Sequence, residues 1–465
     1  MTTFKLKIFF FLAGAIVNFG SGCATLPNVS EVIDETPATQ KPRQIVSSKG
    51  LLSAKQSKAI MARVKRSVSS TDVLTRLTTV VESVTESPLT RGNKVSLLSD
   101  GQAAYAAMFK AIRHARDHIN IESYIIEDDE TGRKFADLLL QKQAEGIQVN
   151  IIYDCMGSMN TPDSFFRRLQ AGGIQVVGFN PLNPLKARDK WGLAHRDHRK
   201  ILIADGTIAI IGGINISRVY SSAPLKRKRK SNEAPPVHWR DTDIQIEGPA
   251  VTELQKLFLD TWEKQKGAKR SDRNYFPTVK EKGTALVRIV GSTEGEDNRI
   301  PFIVYVSALA FAEHSIHMTN SYFIPDDQIL ASLTDAAGRG VDVKIILPGI
   351  TESQMALHAQ RHYYARLLKA GVKIYEHDNS LLHAKTVVID NVWSTVGSTN
   401  MDYLSLLNND EVNAVILNHE FAVEMEKMFA ADLANSIRIN RDEWEKRSVV
   451  PKTKEWFINL FGRWL

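Results

Sequence analysis

Cysteine is almost absent from this chain: two in 465 residues, so at most one disulfide can form and a disulfide-framed fold is excluded. Cys155 closes the run Ile151-Ile152-Tyr153-Asp154 and reads as a small core residue. The longest N-terminal apolar run, residues 8–17, falls short of the roughly 20 residues a spanning helix needs. No cluster of Asp, Glu, His or Cys has metal-ligand spacing, so no metal and no cofactor are expected. Basic and aromatic residues do not interleave as a single-strand nucleic-acid platform requires, which argues against nucleic acid as partner. Acidic residues are the minority charge. The formal net charge of +7 and pI near 9.1 suit a partner that carries phosphates. A hydrophobic content of 43% supports real cores, and the length allows two or three domains.

Residues 1–23 read as an export signal: Lys5 and Lys7, the apolar run, then Gly20-Ser21-Gly22 before Cys23. A cysteine in that place resembles a bacterial lipoprotein signal, in which the thiol is lipidated, although Gly20 stands where Leu is usual. The expected location is the cell envelope, membrane-associated through Cys23 and facing the periplasm or the outside, by attachment rather than spanning. Residues 24–50 are rich in Ser, Thr, Pro and Lys and read as a tether. Residues 51–66 and 72–85 show helical spacing, with Val73, Leu77, Val80, Val81 and Val84 as an apolar stripe and Ser70 or Thr71 as cap. Tether and helices together make a unit over residues 24–93.

The rest is an internal repeat. Ser123-Tyr124-Ile125-Ile126-Glu127-Asp128-Asp129 answers to Ser321-Tyr322-Phe323-Ile324-Pro325-Asp326-Asp327, residues 146–152 to 340–346, and 169–176 to 367–374. Last in each series comes H-x-K-x₄-D: His198, Lys200 and Asp205, then His383, Lys385 and Asp390. Asn215 and Asn400 follow their histidines at the same distance. Each half reads strand, helix, strand, helix, strand, then a strand pair carrying the motif, which argues for a mostly parallel α/β sheet. The halves cover residues 94–275 (motif 198–215) and 284–435 (motif 383–400), with residues 436–465 as an amphipathic tail. Asp128-Asp129 and Asp326-Asp327 each precede a helical stretch and read as caps.

Strand alternation puts His198 and Lys200 on one face, and likewise His383 and Lys385. Two copies brought together would set two imidazoles and two ammonium groups around one cavity. That set suits a phosphodiester: one histidine attacks phosphorus, and the other protonates the leaving alkoxide and later takes the acceptor's proton. The lysines, with Asn215 and Asn400, would hold the non-bridging oxygens. Asp205 and Asp390 precede turn-like residues and are expected to fix the turn. Asp241 and Glu411, on the next strand-like segment after each motif, are the candidates to orient the histidines.

These runs resemble the phospholipase D superfamily, and IESYIIEDD (121–129), HRDHRKILIAD (195–205), GGINIS (212–217), WRDTDIQIEGPA (239–250) and LHAKTVVIDNVWSTVGSTNMD (382–402) resemble its bacterial cardiolipin synthase branch. The resemblance covers about residues 94–435. It implies two fused α/β/α sandwich halves related by a pseudo-two-fold, with the active site at their interface. It implies a catalytic set of His198, Lys200, Asp205, His383, Lys385 and Asp390. The implied reaction condenses two phosphatidylglycerol molecules into cardiolipin and glycerol through a phosphohistidine; hydrolysis to water uses the same machinery. Which histidine attacks is open, with His198 the first choice. Some members of the branch begin with two spanning helices, where this chain has the signal-like segment.

Two segments suit a membrane surface, and no obligate protein partner is implied. Lys226-Arg227-Lys228-Arg229-Lys230 reads as an exposed cationic loop. Trp456, Phe457, Leu460, Phe461, Trp464 and Leu465 gather on one helical face, with Lys452, Lys454 and Arg463 nearby. Replacing the candidate lipidation site, Cys23→Ser, is expected to move the protein out of the membrane fraction; unchanged fractionation and gel mobility would dismiss the lipid anchor.

Overall fold

The computed structural model describes residues 26–36, 45–66, 73–186, 192, 194–221, 239–269, 272–293 and 299–462. Cys23, the 226–230 cationic run, the proposed caps Ser70 and Thr71, and the last three residues of the aromatic tail lie outside them.

The sheet is built twice over. In the first half the strands lie in the order Gln175–Phe179, Gln148–Asp154, His118–Ser123, Lys200–Ala204, Ile208–Gly212, Asp243–Glu247, Leu89–Leu98. In the second the order is Lys373–His377, Asp342–Pro348, Ser315–Thr319, Thr386–Ile389, Trp393–Gly397, Glu411–Leu417, Ala285–Ser292. The two orders correspond strand for strand. Leu89–Leu98 also pairs with Ala285–Ser292, which joins both halves into one 17-stranded sheet. The sheet is mixed rather than mostly parallel. Only the first three strands of each order, joined through helices, run parallel; the motif hairpins are tight turns, which can only make antiparallel neighbours.

Helices follow from the apolar spacing and the acidic caps. The Asp129 carboxylate accepts from Gly132 N–H at 2.9 Å at the start of Glu130–Ala144. Asp326 does the same for Asp327–Gly338, so both acidic pairs cap as expected. Alternation along the motif strand divides the cores. Leu202 and Ala204 face an outer core with Gly101–His114, Glu130–Ala144 and Asp163–Ala171. Ile201 and Ile203 face an inner core shared by Val251–Lys264 and His419–Ala434 from the two halves. Each half is thus an α/β/α sandwich, and their inner layers merge.

Both ends of the chain depart from the sequence reading. Within the expected tether, Val29–Glu35 is helical and Ile45–Ser47 pairs with Leu89–Leu98. Val29 and Ile45 are fully buried, each contributing roughly 1.5–3 kcal/mol; two anchors in a polar run are lost when composition is averaged. The first half begins with Leu89 rather than residue 94. In the tail, Ser436–Arg438 adds an edge strand beside Lys373–His377, and Val449–Asn459 packs on Gln354–His362. No helix among the described residues is long and apolar enough to cross a membrane.

The third motif residue belongs to the fold. Asp205 and Asp390 take left-handed backbone (φ 53° and 51°), followed by Gly206 and Asn391 at φ 62° and 53°, the pair of positive φ values that a tight hairpin needs. Each carboxylate ties that turn to the start of a neighbouring strand. Asp205 accepts from Arg116, Asp117 and His118 N–H at 2.8–3.1 Å; Asp390 accepts from Glu313, His314 and Ser315 N–H at 2.8–2.9 Å. Both lie at the far end of the motif strand, seven residues and so roughly 20–24 Å from its histidine. The resemblance places Asp205 and Asp390 in the catalytic set; we propose that they act there by bracing the motif strand. Asp205→Ala and Asp390→Ala are each expected to cost about 2–4 kcal/mol, read as a lower denaturant midpoint; an unchanged midpoint with lost activity would reverse the assignment.

Candidate active site

The motif strands run antiparallel to His118–Ser123 and Ser315–Thr319, with Ser123 opposite Lys200 and Thr319 opposite Thr386. Both motifs therefore open at the carboxyl ends of the parallel strands. There the two halves are stitched together. Leu381–Leu382 pairs in parallel with Trp239–Arg240, and Asp197 bridges in parallel to Asp410. His383 N–H donates to the Arg240 carbonyl at 2.8 Å and His198 N–H to the Asp410 carbonyl at 2.9 Å.

This register sets each histidine beside the carboxylate of the opposite half. His198 Nδ1 donates to Glu411 at 3.0 and 3.1 Å, and His383 Nδ1 donates to Asp241 at 2.7 Å. The sequence reading picked both carboxylates; the structure adds that they cross over. With Nδ1 engaged in each ring, Nε2 is the nitrogen left for chemistry. Ser398 Oγ donates to Glu411, and Thr242 N–H donates to Asp241 at 2.7 Å. The position matching Ser398 is Gly213, where a Cβ would stand 2.2 Å from an Asp241 oxygen. Glycine is required there by the close approach of the carboxylate.

Lys200 and Lys385 each donate through Nζ to the carbonyl of their own histidine, and Lys385 Nζ also lies 3.0 Å from His383 Nδ1. All four basic groups are buried, and desolvation dominates their ionisation. It pushes Lys200 down to about 7, with Lys385 adding and Glu411 opposing, and Lys385 down to about 8 against the pull of Asp241 and Glu411. It lowers His198, and lowers His383 well below the ordinary imidazole value with Lys385, Lys200 and His198 all adding. Burial raises Asp241 to about 6 against the pull of Lys385. Two buried ammonium groups thus stand beside two buried imidazoles, the set of groups that can meet a phosphodiester.

The two asparagines differ. Asn400 Oδ1 accepts from Ser321 Oγ at 2.7 Å. Asn215 accepts from Ile125 N–H and donates to Tyr220 Oη, each at 3.0 Å, so one hydrogen of its amide holds Tyr220 in place. Tyr220 and Trp239 stand against His383 with ring centroids 6.1 and 4.8 Å away, and Tyr124 lies 5.1 Å from His198 with Lys200 5.2 Å over its face. Sequence reasoning missed these aromatics. Tyr124 and Tyr322, which sits 6.4 Å from His383, were visible as matched positions of the repeat. Arg199 was missed too. Fully buried, it donates to Glu122 at 3.3 Å, Thr261 at 2.7 Å, the Glu411 carbonyl at 3.2 Å and the Ser292 carbonyl. On the other stitch Arg240 grips Asp432 through two bonds at 3.0 and 2.6 Å.

The crossed carboxylates make a sharp expectation. Glu411→Gln and Asp241→Asn are near-isosteric and should leave the fold intact while lowering kcat by about 10²–10⁴-fold. The downfield Nδ1–H resonance lost in Glu411→Gln should be that of His198; loss of the His383 signal instead would refute the crossing.

A family profile described as "Cardiolipin synthase, PLD-like domain" matches residues 108–223 and 305–433, one segment in each half. The cardiolipin synthase of Listeria monocytogenes serotype 4a is 36% identical over 379 residues, covering 80% of this chain and 76% of the relative. That of Alkalihalophilus pseudofirmus is 32% identical over 367 residues, covering 78% and 70%. Among solved structures, the phosphatidylserine synthase of Haemophilus influenzae aligns over 82% of this chain and 96% of its own at TM-score 0.59 and 13% identity, a likeness of fold. Two matched segments carrying His198 and His383, and relatives similar over most of their length, place this chain in the cardiolipin synthase family of phospholipase D-like proteins.

Proposed function

We propose that the chain joins two phosphatidylglycerol molecules into cardiolipin and glycerol at the surface of an anionic membrane of the cell envelope. The observation that carries this is the pair of buried histidines, each held at Nδ1 by the other half's carboxylate, with the buried Lys200 and Lys385 beside them. In the first half-reaction, Nε2 of one histidine attacks phosphorus and the bond to glycerol breaks. The other histidine gives its proton to the departing alkoxide, and Lys200 and Lys385 take the charge on the non-bridging oxygens. In the second, that histidine takes a proton from the hydroxyl of another phosphatidylglycerol, whose oxygen displaces the first histidine from phosphorus. Burial keeps both imidazoles neutral at rest, the form that attacks; the phosphate's own negative charge then favours a proton on the partner ring. With water in place of the second lipid the same steps yield phosphatidic acid.

Purified protein with phosphatidylglycerol vesicles and a chelator tests this, the products being identified by mass. Cardiolipin with free glycerol is expected; phosphatidic acid alone would make the protein a hydrolase. His198→Ala and His383→Ala should each reduce turnover by at least about 10²-fold, and the variant that still traps a phosphatidyl-enzyme names the acid. The pH profile has a definite sign. Lys200 and Lys385 lose protons from the empty site as pH rises through about 7 and 8. kcat/KM should therefore fall above this range, ahead of kcat, because bound phosphate holds the protons on. A kcat/KM that stays flat to pH 9.5 would show that the ammonium groups do not bind the substrate.

A further inference from the structure

Several of the large hydrophobic side chains exposed on the described surface lie on segments that leave the site. Met159, 62% exposed, lies in the loop after Gln148–Asp154. That loop leans on the tyrosine beside His198: Ser158 Oγ donates to the Tyr124 carbonyl at 3.2 Å and accepts from Ile126 N–H at 3.0 Å. Leu185, 93% exposed, follows Gln175–Phe179 just beyond Asn180, whose amide donates to the His195 carbonyl at 2.8 Å. On the other side Met355 opens the helix after Asp342–Pro348. Against that helix packs Val449–Asn459, with Trp456, Phe457 and Leu460 each more than half exposed. Its C-terminal end rests at Gly462 on Ile324, two residues from Tyr322 beside His383.

Single exposed hydrophobics are ordinary, but here they leave both flanks of one opening, with Trp456, Phe457 and Leu460 grouped on one helix end, the pattern of a contact surface. Both flanks leave from the carboxyl ends of parallel strands, the same ends at which the motifs open. The helix carries its aromatics on one stripe, opposite the buried Glu455 that Arg447 grips at 2.7 and 3.0 Å. The exposed Lys452 and Lys454 sit on the same helix, the charge that an anionic headgroup layer favours.

We propose that this two-sided rim docks the enzyme mouth-down on an anionic phospholipid bilayer, with Trp456, Phe457 and Leu460 entering the interface on the second-half side and Met159 and Leu185 on the first-half side. The site then faces the lipid layer directly, and the scissile phosphate reaches the buried histidines without its acyl chains leaving the apolar phase. This rests on the proposed lipid-to-lipid transfer and adds how the site meets its substrate.

The test uses the full chain and two substrates, phosphatidylglycerol vesicles and a short-chain phosphatidylglycerol kept monomeric. The paired variants Trp456→Glu/Phe457→Glu and Met159→Glu/Leu185→Glu should each lose about tenfold or more of their rate on vesicles and keep the wild-type rate on the monomer. Vesicles with brominated acyl chains should quench the emission of Trp456, isolated by difference against Trp456→Phe. Vesicle rates that survive in both paired variants, or an unquenched Trp456, overturn the docking surface. So does an unquenched Trp456 in the wild type together with a changed oligomeric state in the paired variants, which would make the patch a contact between copies. A wild-type enzyme idle on both substrates would instead fail the transfer reading itself.

Discussion

Everything at the centre of this molecule depends on a backbone pairing of a few residues that crosses from one half to the other. Asp197 against Asp410, and Leu382 against Arg240, fix which carboxylate meets which ring. Without that register each histidine would lose the acceptor that sets its tautomer, and Glu411 and Asp241 would stay buried with only Ser398 and Thr242 to answer their charge. The stitches are themselves held by buried guanidiniums. Arg199 answers the crowding of Glu122, Asp197 and Asp410 where the first stitch crosses, and Arg240 locks the second to Asp432. The crossing also explains why the cores merge between Val251–Lys264 and His419–Ala434: the pairs form only if the inner layers meet closely.

The pocket stores its affinity for phosphate as an unfavourable resting state. Two imidazoles and two amines share a space from which water has been removed, with the carboxylates of Glu411 and Asp241 beside them. Lysines with values near 7 and 8 hold their protons loosely until an anion arrives. A phosphodiester restores what burial removed, so binding draws on electrostatic energy already present in the fold.

Much of this was legible in the sequence, because a duplicated chain carries its own comparison. The doubled H-x-K runs, the Asn spacing and the carboxylates Asp241 and Glu411 stood out because each appeared twice. What was not legible follows from the same logic. The crossing is invisible because each carboxylate lies in sequence beside the motif it does not serve. Arg199 has Ala384 at the matching place in the second motif, so repetition gave it no support, although it is the strut between halves. The N-terminal anchors Val29 and Ile45 belong to neither copy. Asp205 and Asp390 were read from their own neighbours as turn residues, and the backbone there agrees; only the inherited motif suggested otherwise.

The unequal pair of Gly213 with Asp241 and Ser398 with Glu411 has a consequence for how such a chain can change over generations. A single ancestral half could have worked only as a dimer of identical subunits, each lending its acid to its neighbour. Once fused, the two copies were free to diverge, but only in matched steps. A serine at 213 has no room while Asp241 lies against it, and a glycine at 398 would strip Glu411 of its hydroxyl donor. The heritable unit in this fold is therefore a loop and an acid together with the histidine of the opposite half. Grafting one half from a relative would break both units at once.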